Sequence, residues 1–67
     1  MNEDTLNASI RQFLKTFGVS AQRELEKAIR DAASSGKLTN STLRAKAVLT
    51  VNGIGLNHEI ERDIEIV

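Results

Sequence analysis

The sequence contains no cysteine, no tryptophan and no tyrosine, and it has a single histidine, His58. Without cysteine the chain can form neither a disulfide nor a thiolate zinc site, and one histidine cannot build a metal cage. Without tryptophan or tyrosine it offers no platform on which the bases of a single strand could stack. We therefore expect no metal, no cofactor and no single-strand binding site.

A surplus of charge is also missing, because nine Lys and Arg residues balance nine Asp and Glu residues. A neutral chain has no overall field that would draw it to nucleic acid or to an anionic membrane. No apolar run approaches the roughly 20 residues of a spanning helix. The first residues, Met1–Asp4, are acidic and do not resemble a signal peptide. These features predict a cytoplasmic protein that binds no membrane.

The chain is short, with 67 residues of which 40% are hydrophobic. This predicts one domain, residues 1–67, whose own core supplies only about 3–5 kcal/mol unless something else stabilises it. Since disulfides and metals are excluded, the remaining sources are good helix packing and a second copy of the chain. Self-association is therefore a hypothesis from composition alone.

The first half has the period of amphipathic helices. A first helix is predicted over about 4–17, with an apolar face of Leu6, Ile10, Phe13, Leu14 and Phe17. Gly18 is interpreted as its left-handed terminator, and Ser20 as the N-cap of a second helix over about 20–35 that ends at Gly36.

The second half alternates with period 2, which predicts strands over about 43–51 and 55–66. Asn52-Gly53 between them is a strong hairpin signal. A two-residue loop pairs Lys46 with Glu59, and a four-residue loop through Gly55 pairs Lys46 with Glu61, so both lengths remain open. The predicted fold class is α+β in the order ααββ, with both helices packed on one face of the hairpin.

Two candidate chemical sites are interpreted as structural. The acidic row Glu59, Glu61, Asp63 and Glu65 lies on one strand face and is best explained as a solvated, partly ion-paired surface. His58 falls on the apolar face of the same strand, away from those carboxylates. Neither arrangement supports catalysis, so we do not expect an enzyme.

The end of the second strand is the predicted self-association site. Strand 1 is expected to begin near Leu43, which leaves Ile64, Ile66 and Val67 as an apolar edge without a partner in the same chain. Two such edges could join into a four-stranded sheet across a homodimer. A C-terminus that docks on its own helices, or frays, is the alternative. The predicted function is a small non-enzymatic interaction or assembly module with an unidentified protein partner or a second copy.

A nucleic-acid-binding helix pair is the second functional hypothesis. Arg23, Lys27 and Arg30 recur at helical spacing and form one basic stripe on the predicted second helix. Acidic residues flank this stripe on both sides, which weakens the hypothesis.

A resemblance to a family of short bacterial proteins of unknown function rests on Ser9–Lys15, Gly18–Val19, Gln22–Arg30, Leu49–Val51 and Gly55–Leu56. The resemblance implies bacterial origin and a small stand-alone domain. No catalytic motif defines the family, so it implies no site residue.

Overall fold

The computed structural model describes residues 1–67 as one long helix followed by a β-hairpin. Helix α1 spans Glu3–Ser34, strand β1 spans Thr42–Val51 and strand β2 spans Leu56–Glu65. The α+β class is confirmed, whereas the order is αββ and the predicted division into two helices is wrong. The sheet has two antiparallel strands, and a four-stranded sheet across a dimer stays a prediction.

Gly18 lies inside α1 and is not among the glycines with positive φ. Ser20 does not cap a new helix, because its hydroxyl donates to the carbonyl oxygen of Phe17 at 3.2 Å within the same helix. The helix continues because the apolar face keeps its phase across Gly18, where Phe17, Ala21 and Leu25 follow at intervals of four residues. Continuity of this face outweighs the roughly 1 kcal/mol that glycine costs in a helix.

Both ends of α1 are capped as the local sequence dictates. The Asn2 side chain accepts a hydrogen bond from the backbone N–H of Thr5 at 3.0 Å. At the other end Gly36 has φ 71° and donates to the carbonyl of Ala33, while Lys37 donates to the carbonyl of Ala32. This pair of bonds is a Schellman motif, and it confirms that Gly36 ends the helix.

Gly18 inside the helix and Gly36 at its end give a matched pair of predictions for stability. A methyl group added at Gly18 would meet no heavy atom within 4 Å, so Gly18→Ala should stabilise the protein by about 0.5–1 kcal/mol. Gly36→Ala also meets open space, but its positive φ should make the same change destabilising by about 1 kcal/mol. Urea denaturation at one fixed protein concentration measures both. A destabilised Gly18→Ala variant would show that the chain does break there.

The hairpin has the four-residue loop, which resolves the two lengths left open by the sequence. Val51 pairs with Leu56, so Asn52 to Gly55 form the loop, and Gly53 and Gly55 supply its positive φ values of 92° and 68°. Lys46 accordingly lies opposite Glu61. Strand β1 begins one residue earlier than predicted, at Thr42.

The helix and the hairpin do not enclose a core. No Cα of α1 comes within 8 Å of a strand Cα, and no residue of the chain is fully buried. The half-buried residues include Ala21 and Ile29 of α1 and Leu43 and Leu49 of β1. The prediction that the helices pack on one face of the hairpin is therefore not met within one chain.

Candidate functional site

A continuous apolar stripe runs the length of α1 and is the main exposed feature of the fold. At about 100° per residue its members fall within an arc of about 120°. We define the apolar stripe as Leu6, Ile10, Phe13, Leu14, Phe17, Ala21, Leu25, Ala28 and Ala32. Its first five members, from Leu6 to Phe17, are each between 36% and 52% exposed.

The stripe and the hairpin form the two walls of an open cleft of about 530 Å³. Phe13, Leu14 and Phe17 line it from α1. Ala47–Thr50, His58 and Ile60 line it from the strands. The walls are mostly apolar, and His58, which pairs with Leu49 in the ladder, is the only titratable lining residue. This composition suits an apolar side chain entering from outside better than it suits chemistry on a polar substrate.

Sequence reasoning missed this cleft, although its two walls were visible separately. The apolar faces of the predicted first helix and of the hairpin were each identified from their periodicity. The missing signal was the common phase of the residues before and after Gly18, which makes α1 a single rod of 32 residues. A rod of that length extends beyond its own hairpin and leaves part of the stripe uncovered.

Two residues of the predicted self-association edge, Ile64 and Ile66, have backbone partners in their own chain. Ile64 pairs with Leu43, and the backbone N–H of Ile66 donates to the carbonyl oxygen of Ser41 at 2.8 Å. Both residues are half-buried, so the expectation that they lack a partner in their own chain is wrong. The reason is that β1 and the residue before it extend far enough to pair with them. Val67 is 99% exposed.

The outer face of the hairpin carries the ion pairs expected from its alternating charges. Arg44 bridges two carboxylates of β2, with Nη1 3.0 Å from Oδ1 of Asp63 and Nε 3.3 Å from Oε2 of Glu61. Lys46 reaches diagonally to Glu59 at 3.7 Å. All of these side chains are about half exposed, so each pair contributes at most about 1 kcal/mol. The acidic row thus forms a solvated, paired surface, and no three metal-ligating side chains converge anywhere in the chain.

Of the predicted basic stripe, Arg23, Lys27 and Arg30, one member forms an ion pair within α1. Arg30 lies 3.8 Å from Glu26 of the preceding turn. Because α1 is continuous, Arg23 instead joins Arg11 and Lys15 beside a shallow polar depression on the outer side of the helix. None of these three cations has a carboxylate within 4.0 Å.

Comparison with known proteins identifies the family. A model described as a family of unknown function (DUF6494) matches residues 1–67. The chain belongs to this family. The resemblance inferred from the sequence is confirmed at that level, and the bacterial origin that it implied stays a prediction. No curated protein and no solved structure matches this member of DUF6494.

The single helix of this DUF6494 member does not have the composition of a membrane-spanning helix. Helix α1 is long enough to cross a bilayer, but it is not apolar enough. Most of its large hydrophobic residues lie in the apolar stripe, while Val19 and Ile29 lie outside it.

Proposed function

We propose that this protein is a small non-enzymatic interaction and assembly module that works as a homodimer. The observation that carries the proposal is the absence of any buried residue in the single chain. A hairpin alone is marginally stable in water, and an amphipathic helix is stabilised mainly by packing its apolar face. A chain with these elements and no core needs a protein surface to complete it.

The dimensions of the chain support the same proposal. Its radius of gyration is 15.9 Å and its longest dimension 51 Å. A compact domain of this length has a radius of gyration of about 11 Å. The single chain is therefore an elongated half of a structure whose other half lies outside it.

Sedimentation velocity over a concentration series tests this proposal. The chain has a mass of 7.4 kDa, and we expect a species of twice that mass at protein concentrations of tens of micromolar and above. A folded monomer at about 500 µM would contradict it, since a chain that is stable without a partner does not need association.

Nucleic-acid binding is the second candidate function, and it is supported by Arg11, Lys15 and Arg23. These cations line one depression along a single helix and have no carboxylate partner, so they are available to phosphates. Overall neutrality and the pairing of Arg30 with Glu26 argue against it. Adding a fluorescent 20-base-pair duplex to the same sedimentation experiment tests it. A complex that weakens as salt rises from about 50 to 200 mM would support this second candidate.

A further inference from the structure

We propose that the dimer forms through the N-terminal half of the apolar stripe, where two copies of α1 pack antiparallel and each closes the cleft of the other. This inference rests on the proposed function and adds the surface, the orientation and the position of the symmetry axis. The occupant of the cleft is therefore the segment Leu6–Phe17 of a second copy.

The exposed area shows how much surface such a partner has to cover. The chain exposes 5985 Å², whereas a folded monomer of this mass exposes about 4,200 Å². The excess is about 1,800 Å² per chain, more than twice the roughly 800 Å² that each partner buries in a standard interface. Two copies together would bury about 3,600 Å², which lies within the 2,000–5,000 Å² range of obligate homodimers.

The distribution of exposed residues places the contact on the N-terminal half of α1. In the C-terminal half the stripe is mostly alanine, Ala21 and Ala32 are half-buried, and Leu25, 44% exposed, is its one large member. In the N-terminal half Ile10, Phe13 and Phe17 remain about half exposed. Pairing of two hairpin edges would leave this half of the stripe in water, so helix packing accounts for the exposed surface better than a shared sheet does.

An isologous contact centred on Leu6–Phe17 puts the two-fold axis between Ile10 and Phe13. Two orientations satisfy two-fold symmetry, and the charges beside the stripe distinguish them. Parallel helices in register would set the acidic first turn, Glu3 and Asp4, against the same turn of the partner. Antiparallel helices separate the two acidic turns and bring each within about 6 Å, along the axis, of Lys15 and Arg23 of the partner, while the two Arg11 side chains come close to the two-fold axis. Opposite charges at the rim favour the antiparallel arrangement.

Distances between spin labels test the surface and the orientation together. The chain has no cysteine, so Gln12→Cys and Lys27→Cys each introduce one thiol outside the stripe for a nitroxide label. For an axis between Ile10 and Phe13, the two copies of position 12 lie within about 2 Å of each other along the helix axis, and the two copies of position 27 about 46 Å apart. Allowing for the separation of the helices, we expect distances of about 25 Å and about 50 Å between labels by pulsed electron–electron double resonance.

Other dimers give different pairs of distances. Parallel helices would give similar values at both positions. Pairing through β2 would centre the axis near Ile60, which lines the same cleft as Phe17. For an axis level with Phe17, the two copies of position 12 would lie about 15 Å apart along the helix axis and the two copies of position 27 about 30 Å apart. Either pattern would overturn this inference and leave the proposed homodimer intact. Sedimentation of the same labelled samples makes the two failures distinguishable, because a monomer there would overturn both.

Discussion

Dilution of the protein from about 500 µM to about 1 µM is expected to lower the midpoint of its thermal unfolding by roughly 10–20 °C. For a dimer that folds as it associates, this dilution removes about 3.7 kcal/mol of stability through mass action. At about 4 °C or more per kcal/mol for a structure of this size, the shift is easily measured. The helix signal in circular dichroism reports it, since α1 holds 32 of the 67 residues.

The physical reason is that neither element of the single chain is stable alone. The single chain has no buried hydrophobic side chain, and the ion pairs on its hairpin are exposed and weak. The stabilising burial must come from the contact between copies. A midpoint that is the same at both concentrations would show that the single chain folds unaided, and the proposal of an obligate homodimer would then fail. Raising the salt concentration serves as a control, because it screens the ion pairs while leaving apolar association in place.

The hairpin was largely predictable because its signal is local and repeated. Alternation assigns every residue of both strands to a face, and a slip of one residue would put Leu49 and Leu56 on opposite faces. Loop length was not predictable, since both the two-residue and the four-residue loop match apolar and charged residues across the strands. The four-residue loop is distinguished by the positive φ of Gly55. A glycine permits that conformation but does not require it, so the sequence alone could not decide the loop length.

The helix shows why a local terminator signal can mislead. Gly18 and Gly36 look alike in the sequence, but only Gly36 adopts a positive φ and ends a helix. What distinguishes them is the pattern beyond each glycine. After Gly18 the apolar stripe resumes in phase at Ala21, whereas after Gly36 the period changes from helical to alternating. The candidate site was missed for the same reason, because two short helices would have folded over each other and covered Phe13 and Phe17.

Replacement of Phe17 by aspartate is expected to weaken association at least 100-fold. In the proposed dimer this phenyl ring lies between the two helices, and each substitution counts twice because the contact is isologous. Removal of a buried phenylalanine costs about 3–5 kcal/mol, and a carboxylate in its place adds an unpaired buried charge. Every 1.4 kcal/mol is a tenfold change in the dissociation constant. Sedimentation equilibrium of Phe17→Asp against the unmodified chain measures the effect.

Val19→Asp is the matched control for this substitution. In the single chain Val19 is 54% exposed and Phe17 is 52% exposed, and both lie in the same region of α1. Phenylalanine, valine and aspartate have similar intrinsic helix propensities, so helix propensity changes little in either variant. The two residues lie on different sides of the helix, since Val19 is on the outer side beside the polar depression while Phe17 belongs to the apolar stripe.

We expect Val19→Asp to change the dissociation constant less than about fivefold, which is the effect of helix propensity and local charge. Equal losses in the two variants would mean that helix stability alone controls association, and the stripe would lose its assigned role as the contact surface.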